Sequence, residues 1–329
     1  MKKLYTLLAV LLVAAMLLPA CAPAEANCAD EETFCVGLVT DVGKINDKSF
    51  NQSAYEGVQL AEKELGATMQ YIETADAKDY AKNIATFGDA GYDVIVTVGF
   101  NLGEATVAAA ALYPNTKFIG VDQFQAADTP GVVGLNFPED NAGFLVGALA
   151  AMMSETGKIG AVCGTDAVPP VWRFGEGYKA GAAYADGMKG TATEVFVVYH
   201  SDVGFDKTFT DPEWGASTAK SMMDQGADAI FGCGGITGNG AITAAAQAGA
   251  YAIGVDTDQY LTLPEAAPRM LSSAMKLITP GVFELIQMAK DGNFPVGNYL
   301  GDASYAPFHD LDSEVPADVK AEMEKINAG

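Results

Sequence analysis

Three short apolar runs of this sequence lead into an aspartate: Asp41, Asp122 and Asp256. An ionised carboxylate only accepts hydrogen bonds and can take two at once, so it suits vicinal hydroxyls or amino and imino groups. A single aspartate in such a place is about as often a helix cap or a turn residue. Three of them in the same setting favour a shared role in binding a ligand.

The residues after the first of these aspartates add further groups that bind ligands. Ser49 and Asn51 carry hydrogen-bonding side chains, and a loop that opens a helix presents free backbone N–H groups. Phe50 lies between them, where an aromatic ring forms either a flat stacking surface or a hydrophobic staple. We expect this segment to line a binding site.

Two later segments supply a cation and a glycine turn. Lys276 follows a strand-like run, where it can meet Asp256 and a ligand oxygen, unless it is an ordinary surface lysine. Gly234 and Gly235 lie in the glycine-rich stretch 232–240, whose spacing does not match a dinucleotide motif and which lacks the lysine of a phosphate-binding loop. We interpret the stretch as a tight strand-to-helix turn that a ligand can approach closely.

Few residues of the sequence suit catalysis. His200 and His309 are the only histidines, and their separation argues against a zinc site or a histidine-based triad. No pairing of a nucleophile with a base emerges either. We therefore predict a binding protein that is not an enzyme and that uses no metal and no cofactor.

Strand-like and helix-like segments alternate along the chain from Phe34 onward. One βαβ series covers 34–121 and a second covers 141–255, which predicts an α/β protein with two doubly wound lobes that face each other across a cleft. Ligands of open α/β sheets bind outside the carboxyl ends of the strands, where the three aspartates fall. Periodicity does not assign the strand and helix of 271–290 to a lobe.

The N-terminus predicts export. Two lysines precede an apolar run from Leu4 to Leu18, and a small residue precedes Cys21. The segment resembles a bacterial lipoprotein signal, which would make 1–20 the signal peptide, Cys21 the lipidated first residue and 21–33 a tether. The alternative is an ordinary cleaved signal with a chance cysteine. Several acyl chains on one residue hold a domain stably at a bilayer surface, so we expect an extracytoplasmic protein anchored to the cell membrane.

Charge and cysteine content narrow the choice of partners. The formal charge of −23 becomes −25 without residues 1–20, which hold two lysines and no acid, and this argues against nucleic acid as a partner. An oxidising compartment favours a disulfide between Cys28 and Cys35. Cys163 and Cys233 each end an apolar run and are interpreted either as neighbours at strand ends or as two small buried thiols.

Several stretches together resemble one family, the basic membrane protein lipoproteins (PnrA-like, Med-type), which are substrate-binding proteins of ABC transporters. The resemblance covers about 36–290 and is strongest in four segments, 47–52, 209–212, 252–259 and 272–276. It implies a type I periplasmic binding protein with two Rossmann-like lobes joined by three crossovers. Characterised members bind purine nucleosides.

The resemblance also assigns roles. Phe50 and Phe209 would sandwich the base, and Asp41 and Asp122, assisted by Ser49 or Asn51, would accept hydrogen bonds at its polar edge. Asp256 and Lys276, with backbone at Gly234 or Gly235, would hold the ribose. The segment before Phe209 is longer than expected, so Phe205 is an alternative second stacking ring. Trp172 and Phe174 are further aromatic candidates.

We therefore expect a monomeric, lipid-anchored substrate-binding protein that captures a nucleoside, with a purine base favoured, and delivers it to an ABC permease. Lobe 1 is predicted as 34–124 plus about 262–298, and lobe 2 as 125–261 plus about 299–329. The alternative function is an extracytoplasmic sensor that binds another small polar ligand such as a sugar.

Overall fold

The computed structural model describes residues 27–30 and 32–328, in which strands and helices alternate as predicted. The predicted signal peptide, Cys21 and the start of the tether lie outside the described residues. The strands are β1 (Cys35–Val42), β2 (Thr68–Thr74), β3 (Val94–Val98), β4 (Lys117–Val121), β5 (Val132–Asn136), β6 (Lys158–Cys163), β7 (Glu194–Tyr199), β8 (Ala229–Cys233), β9 (Tyr251–Asp256), β10 (Met270–Lys276), β11 (Gly297–Leu300) and β12 (Ala303–Tyr305). The helices are α1 (Phe50–Leu65), α2 (Tyr80–Asp89), α3 (Gly103–Leu112), α4 (Glu139–Met153), α5 (Pro169–Lys189), α6 (Phe205–Thr208), α7 (Pro212–Asp224), α8 (Gly235–Gln247), α9 (Gln259–Thr262), α10 (Ile278–Lys290) and α11 (Ala317–Asn327).

These elements form two lobes, each built on a six-stranded sheet. The first sheet has the order β11-β5-β4-β3-β1-β2, and all of its strands are parallel. The second has the order β12-β10-β9-β8-β6-β7, with β12 antiparallel at one edge. The predicted fold class, a type I arrangement of two doubly wound lobes, is confirmed.

Helices cover both faces of each sheet, so the central strands are buried on two sides. In the first lobe α1 and α10 pack on one face, and α2 and α3 pack on the other. In the second lobe α4, α5 and α11 pack on one face, and α7 and α8 pack on the other. The carboxyl ends of the parallel strands are thereby left free for a ligand.

The chain passes between the lobes three times. It leaves the first lobe between β5 and α4, returns between β10 and α10, and leaves again between β11 and β12. The predicted boundary at 124/125 is therefore placed too early, because β5 pairs with β4 and extends the first sheet. The predicted assignment of 262–298 to lobe 1 is also wrong in part, because β10 pairs with β9 in the second sheet.

Six of these elements were not anticipated from the sequence: β5, β11, β12, α6, α9 and α11. The three strands have five, four and three residues and stand at or near sheet edges. Strands this short have too few residues for a clear period of two. Their formation depends on pairing with a neighbouring strand that is distant in sequence.

Two disulfides lie within the described residues. Cys28–Cys35 joins the start of the domain to β1, as predicted, with a Cα–Cα distance of 5.6 Å. Cys163 and Cys233 are also bonded, because they are register partners on the adjacent strands β6 and β8. Cys163 and Cys233 are therefore neighbours at strand ends and not two separate buried thiols.

Among the helices of residues 27–30 and 32–328, none combines the length and the apolar character needed to cross a membrane.

Candidate functional site

A cleft between the lobes lies at the carboxyl ends of strands from both sheets. It holds about 780 Å³ of space outside protein atoms, counting what is open to solvent. Nine of the ten predicted ligand residues line it: Asp41, Phe50, Asn51, Asp122, Phe209, Gly234, Gly235, Asp256 and Lys276. The two sheets thus bring together residues that are up to 235 positions apart in the chain.

The tenth residue, Ser49, is fully buried beside the cleft rather than on its wall. Its hydroxyl donates a hydrogen bond of 2.5 Å to Asp256 Oδ2. Ser49 belongs to the loop before α1 in the first lobe, whereas Asp256 ends β9 in the second. Ser49 therefore connects the lobes and orients a cleft carboxylate.

Further hydrogen bonds cross between the lobes next to this one. Side chains of the second lobe donate to backbone carbonyls of the loop before α1: Asn239 Nδ2 to Asp47 (2.8 Å), Gln259 Nε2 to Lys48 (3.0 Å) and Thr262 Oγ1 to Lys48 (2.8 Å). Lys48 itself has a φ of 67°, a left-handed conformation that is uncommon outside glycine. The structure is thus a closed arrangement of the two lobes.

Asp47 is a cleft residue that was not predicted as one. Its buried carboxylate accepts hydrogen bonds from the backbone N–H groups of Ser49 (3.0 Å), Asn51 (2.9 Å) and Gln52 (3.1 Å). These are orphan donors at the start of α1, so Asp47 fixes the direction in which Phe50 and Asn51 leave the loop. The signal was available, because an aspartate shortly before an apolar-periodic segment is a helix-start pattern.

Two of the strand-end aspartates have left-handed backbones. The φ angles are 62° for Asp122 and 65° for Asp256. Aspartate tolerates this region better than most residues, yet it still costs about 1–3 kcal/mol, and such strain concentrates at functional sites. The third strand-end aspartate, Asp41, depends on a neighbouring glycine for the space of its side chain. Gly99 has a φ of 113°, and a Cβ at this position would lie 2.7 Å from Asp41 Oδ2.

The ammonium of Lys276 is the centre of a buried charge cluster. It lies 2.5 Å from Asp122 Oδ2 and 3.2 Å from Glu139 Oε1. Both carboxylates, together with that of Asp256, raise the pKa of Lys276 although burial opposes this. The lysine therefore stays charged, and Asp122 lies beside the residues predicted to hold a sugar rather than apart from them.

The aspartates of the cleft outnumber this cation. Burial raises the pKa of Asp41 to about 7 and that of Asp47 to about 6. Burial also raises the pKa of Asp122 to about 7, although Lys276 opposes the shift. Two buried acceptor atoms, Asn51 Oδ1 and Asp122 Oδ1, have no hydrogen-bond partner within the described residues. The site is thus prepared for a ligand that donates hydrogen bonds.

This excess of acid predicts how stability depends on pH. The pKa of Asp41 rises from 3.8 to about 7 on folding, so its contribution to stability is complete below about pH 4 and is lost as the pH rises through about 7. We expect Asp41→Asn to raise the free energy of unfolding by about 1–3 kcal/mol at pH 8, with no gain at pH 4. Urea unfolding at both pH values measures the difference.

The matched control is Asp291→Asn, which changes an exposed aspartate after α10. Its effect should stay within about 0.5 kcal/mol at either pH. An Asp41→Asn variant that is equally or less stable than the parent at pH 8 would show that the buried charge of Asp41 does not destabilise the folded protein.

Aromatic rings reach the cleft from both lobes. Phe50 starts α1 of the first lobe, and Phe209 lies between α6 and α7 of the second. Gly164 positions the second ring, because a Cβ there would lie 2.1 Å from Phe209 Cε1. Phe174, one of the further candidates, is buried and also lines the cleft.

The other two aromatic candidates do not line the cleft. Phe205 is 46% exposed and lines an adjoining cavity rather than the cleft itself. Phe209 lines the cleft and is therefore the better placed of the two alternatives. Trp172 is 49% exposed and lines neither the cleft nor the adjoining cavity. The longer segment before Phe209 is accommodated by the short helix α6.

The glycine turn has the predicted form. Gly235 starts α8 with a φ of 55°, and a Cβ on Gly234 would lie 2.6 Å from the backbone nitrogen of Gly164. Both positions therefore need glycine to leave backbone exposed to the cleft.

Comparison with known proteins identifies this architecture. Residues 34–301 match the family model described as ABC transporter substrate-binding protein PnrA-like. The ABC transporter nucleoside-binding protein BmpA of Lactococcus lactis subsp. cremoris is 31% identical over 281 residues, which cover 80% of this chain and 77% of that protein. A lipoprotein of Pyrococcus horikoshii is 32% identical over 272 residues, which cover 80% of this chain and 65% of that protein.

A solved structure agrees with these sequence relatives. An ABC transporter solute-binding protein of Aeropyrum pernix superposes with a TM-score of 0.79 at 25% identity, over 90% of each chain. The family predicted from the sequence motifs is thereby confirmed. This chain belongs to the PnrA-like (Bmp) family of ABC transporter substrate-binding proteins.

Proposed function

We propose that this protein is an extracytoplasmic lipoprotein that binds a nucleoside, with a purine base favoured, in the cleft between its lobes and delivers it to an ABC permease. The observation that carries the proposal is that Phe50 and Phe209, from opposite lobes, line one cleft that also holds Asp41, Asp256 and Lys276. A flat ring between the two phenylalanines and hydroxyls on the carboxylates would use all of these groups.

The chemistry of the cleft favours a neutral ligand that is rich in donors. Its carboxylates accept hydrogen bonds, and the partnerless acceptors Asn51 Oδ1 and Asp122 Oδ1 require donors. Ring N–H, exocyclic amino and ribose hydroxyl groups are such donors. The L. lactis relative is named as a nucleoside-binding protein, which supports the same ligand class.

We assign the roles within the cleft from the contacts that its side chains make with one another. Asp41 and Asn51, whose side chains lie 3.4 Å apart, would hold the polar edge of the base. Asp256 and Lys276, with backbone at Gly234 or Gly235, would hold the sugar. Asp122 would act with the sugar group, because its carboxylate is ion-paired with Lys276.

The membrane link rests on the N-terminal segment. Cys21 follows a basic end and a short apolar run, and a P. horikoshii relative is named a lipoprotein. We propose that lipid on Cys21 holds the domain beside its permease. A ligand that binds the closed arrangement better than the open one would drive closure about the three crossovers.

The test is a calorimetric titration of the mature domain, freed of any ligand retained from its expression host, with adenosine, guanosine, inosine, cytidine and ribose. We expect saturable binding of purine nucleosides and much weaker binding of free ribose, because ribose lacks the stacking ring. If the protein bound ribose and bound none of the nucleosides, the result would favour a sugar-binding protein. No heat with any nucleoside would overturn the proposal.

The stacking roles make a specific prediction. Phe50→Ala and Phe209→Ala should each weaken purine nucleoside binding by about 1–3 kcal/mol, since that is the value of one base–aromatic stack. Dissociation constants from the same titration measure the loss.

Phe124→Ala is the matched control, because this phenylalanine is strongly exposed on the first lobe and lies outside the cleft. It should leave affinity unchanged. A Phe205→Ala variant that loses more affinity than Phe209→Ala would transfer the second stacking role to Phe205.

A further inference from the structure

Glu139 is a buried carboxylate that belongs to no role described so far. It is the first residue of α4, directly after the first crossover, and it is 1% exposed. It does not line the cleft. A charged residue that is buried this fully needs partners, and its two oxygens face two different cations.

The contacts of Glu139 form a chain from the surface to the cleft. Its Oε2 accepts a hydrogen bond of 2.9 Å from Arg173 NH1 on α5, and Arg173 has a side chain that is 38% exposed. Its Oε1 makes no hydrogen bond and faces the ammonium of Lys276 as an ion pair at 3.2 Å. Glu139 thus links a partly exposed arginine of α5 to a cleft lysine of β10.

The ammonium is enclosed by groups from several elements. Asp122 holds it from the first lobe, and Glu139 holds it from the second. Three rings lie within 5.9 Å of it, those of Phe50, Phe137 and Phe174. Of its three hydrogens, one is donated to Asp122, and the side toward Glu139 is held by charge without a hydrogen bond, so a hydrogen remains for a ligand oxygen.

We propose that Glu139 is a positioning residue, which holds the Lys276 ammonium so that its remaining hydrogen meets a hydroxyl of the ligand's sugar. The inference rests on the proposed function, because it assigns the sugar side of the same cleft. Glu139 follows one crossover and Lys276 precedes the next, so the pair also joins two of the three strands of the hinge.

The experiment compares two ligands in one variant. Wild-type protein and Glu139→Gln are titrated with adenosine and with 2′,3′-dideoxyadenosine, which keeps the base and lacks the two ring hydroxyls. Glutamine keeps the shape of the side chain and removes its charge. We expect about a tenfold loss of affinity for adenosine and less than about a threefold loss for the dideoxy ligand, because a charge-assisted hydrogen bond is lost only with the hydroxyls.

Arg173→Met gives a second, independent variant. It removes the anchor from Glu139 Oε2 and changes no group that touches the ligand. The expected loss has the same preference for adenosine but is smaller, and Arg173→Lys should restore part of it. Asp140→Asn, in the same turn of α4 and exposed, is the control and should change neither affinity.

The outcomes separate this proposal from the proposed function. Equal losses for both ligands, or no loss, while wild-type protein binds adenosine would show that Glu139 is only structural. If wild-type protein binds another purine nucleoside but not adenosine, the comparison is made with that nucleoside and its 2′,3′-dideoxy form. Absence of binding of every nucleoside to wild-type protein would overturn the proposed function, and the role of Glu139 with it. If Glu139→Gln does not fold, the ratio of the two losses in Arg173→Met decides.

Discussion

Lys276→Met should lower the free energy of unfolding by about 3–5 kcal/mol at pH 8, the range for removing one partner of a buried ion pair. It should also weaken binding of a purine nucleoside at least about a hundredfold. The reason is that Asp122 and Glu139 would lose the ammonium that lies within 3.2 Å of both.

The pH dependence of this variant is a sharper test than its stability alone. Burial already raises the pKa of Asp122 to about 7 although the lysine opposes the shift, so without the lysine Asp122 prefers to be protonated and the deficit should shrink as the pH falls from 8 to 4. Urea unfolding at the two pH values measures it, with circular dichroism to verify that the fold is retained. Lys276→Arg keeps the charge and should lose less stability than Lys276→Met.

The control is Lys220→Met, which removes an exposed lysine of α7 that pairs with Asp224. A surface pair of this kind contributes at most about 1 kcal/mol. If Lys276→Met proved as mild as Lys220→Met at pH 8, the ammonium would not neutralise the cluster, and its place on the sugar side of the cleft would have to be abandoned.

Gly181→Ala should strongly destabilise the protein although the residue lies away from the cleft. A Cβ at Gly181 would lie 2.0 Å from the carbonyl oxygen of Phe144 and 2.6 Å from the nitrogen of Ala148. Both are backbone atoms of α4, so α4 and α5 would have to separate. We expect a loss of about 3 kcal/mol in the free energy of unfolding, since overpacking of this kind usually costs 1–3 kcal/mol and backbone cannot move aside.

The matched control lies two turns further along the same helix. Gly187 of α5 has no atom within 4 Å of an added Cβ. Gly187→Ala should therefore stabilise the protein by about 0.5–1 kcal/mol, because alanine has the better helix propensity. Urea unfolding of both variants gives the comparison. If Gly181→Ala were as stable as Gly187→Ala, α4 and α5 could not be packed as closely as the distances around Gly181 indicate.

The close packing of these helices also bears on the site. A Cβ at Gly177 would lie 2.1 Å from the carbonyl oxygen of Asp140, next to Glu139. The same helix pair brings Arg173 to Glu139. A loosened pair should therefore weaken ligand binding in addition to stability.

Much of the fold was predictable because its signals are local. Buried strands such as β4 and β8 are apolar runs with breakers on either side, so the local pattern of residues is enough to indicate them. The start of α8 at Gly235 is not a local signal, because a glycine-rich segment has little apolar periodicity. Its position depends on close packing against β8, where a Cβ at Gly238 would lie 3.0 Å from the carbonyl oxygen of Gly232.

The position of the cleft was predictable for a related reason. Parallel strands that alternate with helices align their carboxyl ends, so Asp41 in the first sheet and Asp256 in the second each lie at the end of their sheet where ligands bind. The expected kind of ligand came from the resemblance to the PnrA-like family and not from the spacing of the residues. The lobe boundaries were less accessible, since β5 and β10 are assigned to a sheet by their partners and not by their own sequence.

From the sequence alone, this protein is a two-lobed α/β protein whose strand ends carry carboxylates, because hydrophobic periodicity and chain order suffice to specify such a sheet. Only the tertiary structure decided that Ser49 serves Asp256, that Asp122 pairs with Lys276, and that Glu139 supports the pair. Each of these contacts joins residues from different elements, two of them across the lobes. Their energies depend on burial and on distances of about 3 Å, and neither quantity is encoded in the local pattern of residues.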